Sequence, residues 1–172
     1  TGIGVDSVGN VLSTGTFIGT ADFDPSAAAR NLTSAGGSQD IYVSKLDSGG
    51  TFVDAFRMGG TGVDAANALA VNASNVYTTG SFAGTADFDP GTGTPHTLTS
   101  NAGSSDIFLS LNRVPTPTLP PFAVGVGAGS NLDEGRAIAS DAAGNTYVAG
   151  RFQGTVNFNP QGSAVNLTSA TG

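Results

Sequence analysis

Two pairs of aspartates have the residue type and the spacing to do chemistry. Asp22 and Asp24 stand two residues apart, and Asp87 and Asp89 repeat the arrangement 65 residues later. Carboxylates spaced in this way in a turn offer the hard oxygen ligands that Ca²⁺ prefers. The four aspartates are therefore candidate metal ligands, and calcium is the one cofactor that the sequence suggests.

A structural interpretation of the same residues is open as well. The third occurrence of the motif has Asn157 and Asn159 in place of the two aspartates. An amide is a weaker metal ligand, but its oxygen accepts the same side-chain-to-backbone hydrogen bonds. Turn formation is thus common to all three occurrences, which favours structural Asx turns over calcium binding.

Other candidates for catalysis are few, and no enzyme activity is expected. His96, the only histidine, lies between Pro95 and Thr97, where we predict an exposed loop. No Gly-x-Ser-x-Gly motif accompanies it, and cysteine is absent, which excludes disulfides and thiol chemistry. Glu134 is the only glutamate. Repetition spreads similar residues over the chain, whereas a catalytic site needs one unlike cluster.

Four further aspartates lie at the expected entrances to strands. Asp40 and Asp106 precede one strand type, and Asp64 and Asp133 precede another. We predict that they form strand-entry turns rather than ligand sets.

Several side chains match the patterns of glycan acceptors. Asn-x-Ser/Thr sequons and threonines among prolines are such patterns. The candidate glycosylation sites are Asn31, Asn72, Asn166, Thr116 and Thr118.

Composition excludes several classes of partner. The net charge is −7 and no basic run occurs, which argues against nucleic-acid binding because phosphate contacts need clustered Lys and Arg. The longest apolar stretch has eight residues, too short to span a bilayer. We expect any signal peptide to be removed or to lie outside this sequence. With 26 glycines and only 11% charged residues, the composition predicts few long helices.

A long internal repeat organises the chain. Residues 19–25 read GTADFDP, residues 84–90 repeat them letter for letter, and residues 154–160 read GTVNFNP. A fixed period of this length indicates an array of supersecondary units. We assign residues 1–60 to the first repeat, 61–129 to the second and 130–172 to an incomplete third. A proline-rich stretch at 113–121 is expected to form an exposed loop in the second repeat.

Alternation of apolar residues predicts four strands in each repeat. In the second repeat, strands are predicted at 68–71, 76–82 and 106–112, and the first repeat supplies the fourth at 51–58. About 20 residues carrying the Asp-Phe-Asp-Pro motif form an inserted hairpin, which leaves about 45, the size of one propeller blade. The predicted fold is all-β: tandem four-stranded antiparallel blades in an incomplete ring, each with an inserted hairpin.

Several ordered motifs resemble the bacterial SBBP-type β-propeller repeat. They include GGTGVD at 59–64, DAAGNTYVAG at 141–150 and SQDIYVSKL at 38–46. The resemblance implies a blade-forming, exported module without catalysis. The tryptophan that this family would place in the fourth strand is absent, and Phe56 is the expected substitute.

These observations lead to one functional expectation with two alternatives. We expect a non-catalytic repeat module of a secreted or cell-surface protein that acts as a structural or interaction scaffold. The alternatives are a subunit of an extracellular filament assembled by strand complementation between chains, and a Ca²⁺-dependent carbohydrate-binding module. An unclosed array exposes apolar faces and strand edges, so the first expected partner is a further copy of the repeat, through self-association or flanking sequence. A glycan or surface partner is the other expected partner.

Overall fold

The structure is a computed structural model that describes residues 1–89, 94–114, 122–129 and 131–170. Its regular structure there is β-strand, apart from two short 3₁₀ turns at Ala35–Gly37 and Asn101–Gly103. The predicted all-β class is confirmed, with several antiparallel sheets. In the described part of the chain, no helix is long and apolar enough to cross a membrane.

The strands follow the sequence repeat. In the first repeat they are β1 (Gly2–Val5), β2 (Val11–Phe17), β3 (Thr20–Asp22), β4 (Asn31–Thr33), β5 (Asp40–Leu46) and β6 (Phe52–Gly60). In the second they are β7 (Ala65–Asn72), β8 (Asn75–Ala83), β9 (Thr85–Asp87), β10 (Thr97–Thr99), β11 (Ser105–Arg113) and β12 (Phe122–Val126). In the third they are β13 (Glu134–Ser140), β14 (Thr146–Arg151), β15 (Thr155–Asn157) and β16 (Asn166–Thr168).

Two repeats form the same antiparallel meander. Strands β1, β2, β5 and β6 pair in that order, and β7, β8, β11 and β12 repeat the order. In the third repeat β13 pairs with β14. A short hairpin, β3–β4, β9–β10 or β15–β16, is inserted between the second and third strands. The sheets of the described residues close into neither a barrel nor a propeller.

The inserted hairpin of the second repeat also extends the sheet of the first. Gly59 and Gly60 of β6 pair with Asp87 and Ala86 of β9. The resulting sheet has six strands, in the order β1-β2-β5-β6-β9-β10. The predicted repeat boundary at 60/61 thus lies next to strand pairing that crosses it.

Aspartate and glycine form the hairpin turns between the first and second strands of the first and third repeats. Asp6 accepts hydrogen bonds from the backbone N–H groups of Val8 and Asn10, and Gly9 has a φ of +87°. Asp141 accepts the equivalent bond from Asn145 N–H. The side chain replaces backbone partners that the turn leaves unpaired, while glycine adopts the left-handed region without strain.

In the first two repeats, an aromatic side chain from the inserted hairpin packs against aromatic residues of the meander. Phe88 is fully buried, with its ring centroid 5.5 Å from that of Phe82 and 4.8 Å from that of Phe108. Phe23 has the same neighbours in the first repeat, Phe17 at 5.4 Å and Tyr42 at 4.8 Å. The phenylalanine of the Asp-Phe-Asp motif therefore ties the hairpin to the meander. Phe56, the expected substitute for tryptophan, is also buried in the core.

The sheet of the second repeat lies between those of the first and third. A Cβ on Gly2 of β1 would stand 2.7 Å from the backbone nitrogen of Leu69 in β7, so glycine permits the close approach. On the other side, Gly135 of β13 lies against Ile107 of β11. Strand β7 itself contacts both β1 and β13.

The proline-rich stretch is only partly described. Arg113 is the last residue of β11 rather than part of a loop, and Val114 is buried. The carbonyl of Val114 accepts a hydrogen bond from Lys45 Nζ. Residues 115–121, and with them most of the predicted loop, lie outside the described residues.

Substituting the aromatic residue of one hairpin measures its contribution to the core. Phe88→Ala removes a fully buried ring and should lower the free energy of unfolding by about 3 to 5 kcal/mol. Phe158→Ala is the matched control, because Phe158 has the same place in the third repeat but is 39% exposed. It should cost about 1 kcal/mol or less. Urea unfolding followed by fluorescence tests both, and equal losses would contradict the packing described.

Candidate functional site

Each boundary between repeats contains two buried aspartates. At the first boundary they are Asp40, the first residue of β5, and Asp64, which precedes β7. At the second they are Asp106, in β11, and Asp133, which precedes β13. All four are at most 2% exposed. We call these sets the boundary carboxylate pairs, Asp40–Asp64 and Asp106–Asp133.

The second member of each pair joins two repeats by hydrogen bonds. Asp64 Oδ2 accepts the N–H of Gly60, 2.7 Å away, and Asp64 Oδ1 accepts the N–H of Ala83, 3.2 Å away. Asp133 accepts the N–H groups of Ala128, at 3.1 Å, and Gln153, at 2.9 Å. One carboxylate thus fastens the end of one repeat to the end of the second strand of the next repeat, at Ala83 of β8 or at Gln153 just after β14.

Backbone hydrogen bonds support the same connection. The N–H of Asp64 donates to the carbonyl of Gln39, and that of Asp133 donates to the carbonyl of Ser105. Each acceptor immediately precedes the first aspartate of its pair. The two aspartates of a pair are therefore held together by the main chain as well as by their side chains.

The first member of each pair caps a 3₁₀ turn. Asp40 Oδ2 accepts the N–H of Ala35 at 2.9 Å and forms an ion pair with Arg57 Nη1. Asp106 Oδ2 accepts the backbone and side-chain N–H groups of Asn101, at 3.0 and 2.8 Å. In both aspartates the other oxygen, Oδ1, is buried without a hydrogen-bond partner.

Glycine makes room for the two carboxylates to approach each other. A Cβ on Gly59 would lie 2.9 Å from both Asp40 Oδ1 and Asp64 Oδ2, and the φ of Gly59 is +141°. Any larger residue would need a strained backbone and would displace a carboxylate. Gly127 occupies the same position beside Asp106.

Burial gives the pairs unusual electrostatics. Loss of solvation raises the pKa of Asp64 to about 6, and the charge of Asp40 adds to this. Hydrogen bonds from Gly60 and Ala83 and the charge of Arg57 act in the opposite direction. Burial also raises the pKa of Asp106, against hydrogen bonds from Asn101. A carboxyl group of this kind can retain a proton in weakly acidic solution.

The candidate calcium ligands organise the inserted hairpins through Asx turns. Asp22 Oδ1 accepts the N–H groups of Asp24 and Arg30, and these bonds lower the pKa of Asp22. Asp87 Oδ1 accepts those of Asp89 and His96. The amide oxygen of Asn157 accepts those of Asn159 and Val165. In the described chain, no group of three or more His, Asp or Glu side chains is arranged to hold a metal ion.

His96 lies in the loop before β10, as predicted, but it is less exposed than expected. It is half-buried, and its Nε2 lies 3.1 Å from the carbonyl oxygen of Ala123 in β12. Arg30 has the same place in the first repeat, where its guanidinium donates to the carbonyl of Ala55 in β6. Both side chains fasten an inserted hairpin to the outer strand, a relation that the unlike residue types conceal in the sequence.

The candidate glycan acceptors have different surroundings. Asn31 and Asn166 are exposed at the starts of β4 and β16. The amide of Asn72 donates to the carbonyl of Asp141 in the third repeat. Thr116 and Thr118 lie outside the described residues.

One buried ion pair was not indicated by sequence patterns. Lys45, the only lysine, lies 3.1 Å from Asp6 Oδ2, and both side chains are nearly buried. Burial alone would raise the pKa of Asp6, but hydrogen bonds from Asn10, Lys45 and Val8 outweigh it and lower the pKa to about 2. Only the scarcity of lysine hinted at a specific role.

Neither a protein-family model nor a curated protein matches the chain.

The raised pKa of Asp64 predicts a pH dependence of stability that Asp64→Asn removes. An unfolded aspartate titrates near 3.8, so Asp64 favours folding most below that pH, and its contribution declines as the pH rises through 6. Between about pH 4 and pH 7, wild type should lose about 2 kcal/mol of unfolding free energy relative to Asp64→Asn. Denaturant unfolding across this range measures it. Asp22→Asn is the control, because the pKa of Asp22 is lowered rather than raised. Parallel plots of unfolding free energy against pH for wild type and Asp64→Asn would contradict the prediction.

The third repeat suggests how the Asx turns should respond to substitution. Asp22→Asn reproduces the bonding of Asn157 and should leave the melting temperature unchanged, whereas Asp22→Ala removes the acceptor and should lower it by roughly 2 to 4 °C. Calorimetric scans with and without Ca²⁺ distinguish the effect of the turn's hydrogen bonds from the effect of metal binding. If Ca²⁺ stabilised wild type but not Asp22→Asn, the calcium interpretation would replace the structural one.

Proposed function

We propose that this chain is a non-catalytic repeat module of a secreted or cell-surface protein and serves as a structural and interaction scaffold. The boundary carboxylate pairs are the observation that carries the proposal. They occur in equivalent form at both repeat boundaries, and their hydrogen bonds go to backbone groups that fix one repeat against the next. Side chains used in this way stabilise an array.

The remaining aspartates support the same function. Those in the hairpin turns and inserted hairpins accept backbone N–H groups, as Asp6, Asp22, Asp47 and Asp141 do. Carboxylates that end turns in this manner set the shape of a scaffold. The resemblance to SBBP-type repeats and the exposed sequons at Asn31 and Asn166 are the grounds for proposing a position outside the cell.

A filament subunit is the second candidate, and exposed apolar side chains favour it. Ile3 and Val5 of β1 are 73% and 60% exposed, and Tyr147 and Val148 of β14 are 61% and 38% exposed. These strands belong to the first and third sheets, on either side of the second. Apolar surfaces on opposite sides of a stack suit head-to-tail association, which extends without closing.

Immunogold labelling of intact cells of the source organism, viewed by electron microscopy, tests both candidates. Gold at the cell surface is expected for either, and gold along continuous fibres is expected only for the filament. Permeabilised cells and an antibody to a cytoplasmic protein are the controls. Label confined to permeabilised cells would overturn the proposed position outside the cell.

A further inference from the structure

The two boundary carboxylate pairs differ in one side chain. Arg57 of β6 stands opposite Tyr42, two residues after Asp40, and there it forms the ion pair with Asp40. In the second repeat the residue opposite Phe108, two residues after Asp106, is Gly125. The second pair therefore has glycine where the first has its arginine.

No described lysine or arginine replaces the missing charge. The ion pairs of the described residues include none with Asp106 or Asp133. Asn101 donates to Asp106 Oδ2 as a neutral amide, while Asp106 Oδ1 has no partner although the residue is only 2% exposed. Two buried carboxylates without a counter-charge are costly, because burial without pairing disfavours ions strongly.

A cavity is lined by Gly125, which stands in the place of the arginine, and by Asp106. Its volume is about 210 Å³, and its lining includes Leu98, Thr99, Asn101, Asp106, Gly125 and Gln161. A water molecule takes about 30 Å³, so the cavity has room for a larger group. It offers a carboxylate, neutral polar groups and an apolar wall, which together suit a flat cation.

We propose that this cavity binds a guanidinium group, which donates to Asp106 Oδ2 in place of the side-chain amide of Asn101, as Arg57 donates to Asp40 Oδ2. Guanidinium is planar, carries several N–H donors and is less strongly hydrated than ammonium, so it loses less solvation on entering a partly apolar pocket. The group would come from an arginine side chain of a partner protein or from a small guanidinium compound. The cavity would bind such a group whether or not the chain is exported.

Protein-detected NMR with methylguanidinium chloride tests the proposal. The backbone amide of Gly125 and the side-chain amide of Asn101 should show saturable shifts, and Asp106→Asn should weaken binding at least tenfold. Methylammonium chloride at equal ionic strength is the matched control and should bind at least tenfold more weakly. Equal affinity for the two cations, or unchanged binding by Asp106→Asn, would overturn the proposal.

Two substitutions exchange the arginine and the glycine of the two boundaries, so that each boundary serves as a control for the other. Gly125→Arg supplies the missing arginine and should abolish binding and raise the melting temperature. Arg57→Gly should open a second saturable site beside Asp40. If Gly125→Arg fails to fold, Arg57→Gly and Asp106→Asn still decide, and absence of a second site would count against the proposal.

A peptide of sequence Gly-Arg-Gly identifies the source of the group. Binding at least tenfold tighter than that of methylguanidinium would assign the cavity to an arginine of a partner protein, and similar affinity would assign it to a small compound. Failure of both to bind would overturn this inference without bearing on surface labelling, so it is distinguishable from failure of the proposed function.

Discussion

The structure depends on carboxylates that are buried where one repeat meets the next. Removing a carboxylate from water is unfavourable unless hydrogen bonds replace its solvation. At both boundaries the replacement comes from backbone N–H groups of two repeats, which the chain must bring together in one geometry. A misplaced neighbour would leave a charge unsatisfied, so the same interaction that is costly in isolation specifies how the repeats pack.

The repeat made much of the fold predictable. Three occurrences of one motif located the inserted hairpins, and period-two alternation located the strands of the second repeat to within a few residues. Turn chemistry was predictable for the same reason, since Asp, Asn and Gly act through local hydrogen bonds and backbone conformation. How the sheets lie beside each other, and whether they form blades of a ring, depends on contacts between distant residues that no local pattern encodes.

The candidate site was predicted less well, and the reason is physical. Asp40 and Asp64 were expected to form separate turns, yet they approach each other across Gly59. Nothing in a linear spacing distinguishes a solvated turn aspartate from a buried one. His96 and Arg30 illustrate the same difficulty, because their common role rests on a shared position against the outer strand rather than on shared chemistry.

The pairing of β9 with Gly59 and Gly60 has a consequence for how such chains can change by duplication. A gene segment ending at residue 60 would encode every strand of one meander but would separate its last strand from the hairpin that completes the sheet edge. The sequence repeat that is duplicated and the sheet that folds thus have different boundaries. New copies inserted in whole periods would keep this pairing, whereas moving a single repeat into an unrelated protein would leave main-chain N–H and C=O groups of its last strand without hydrogen-bond partners.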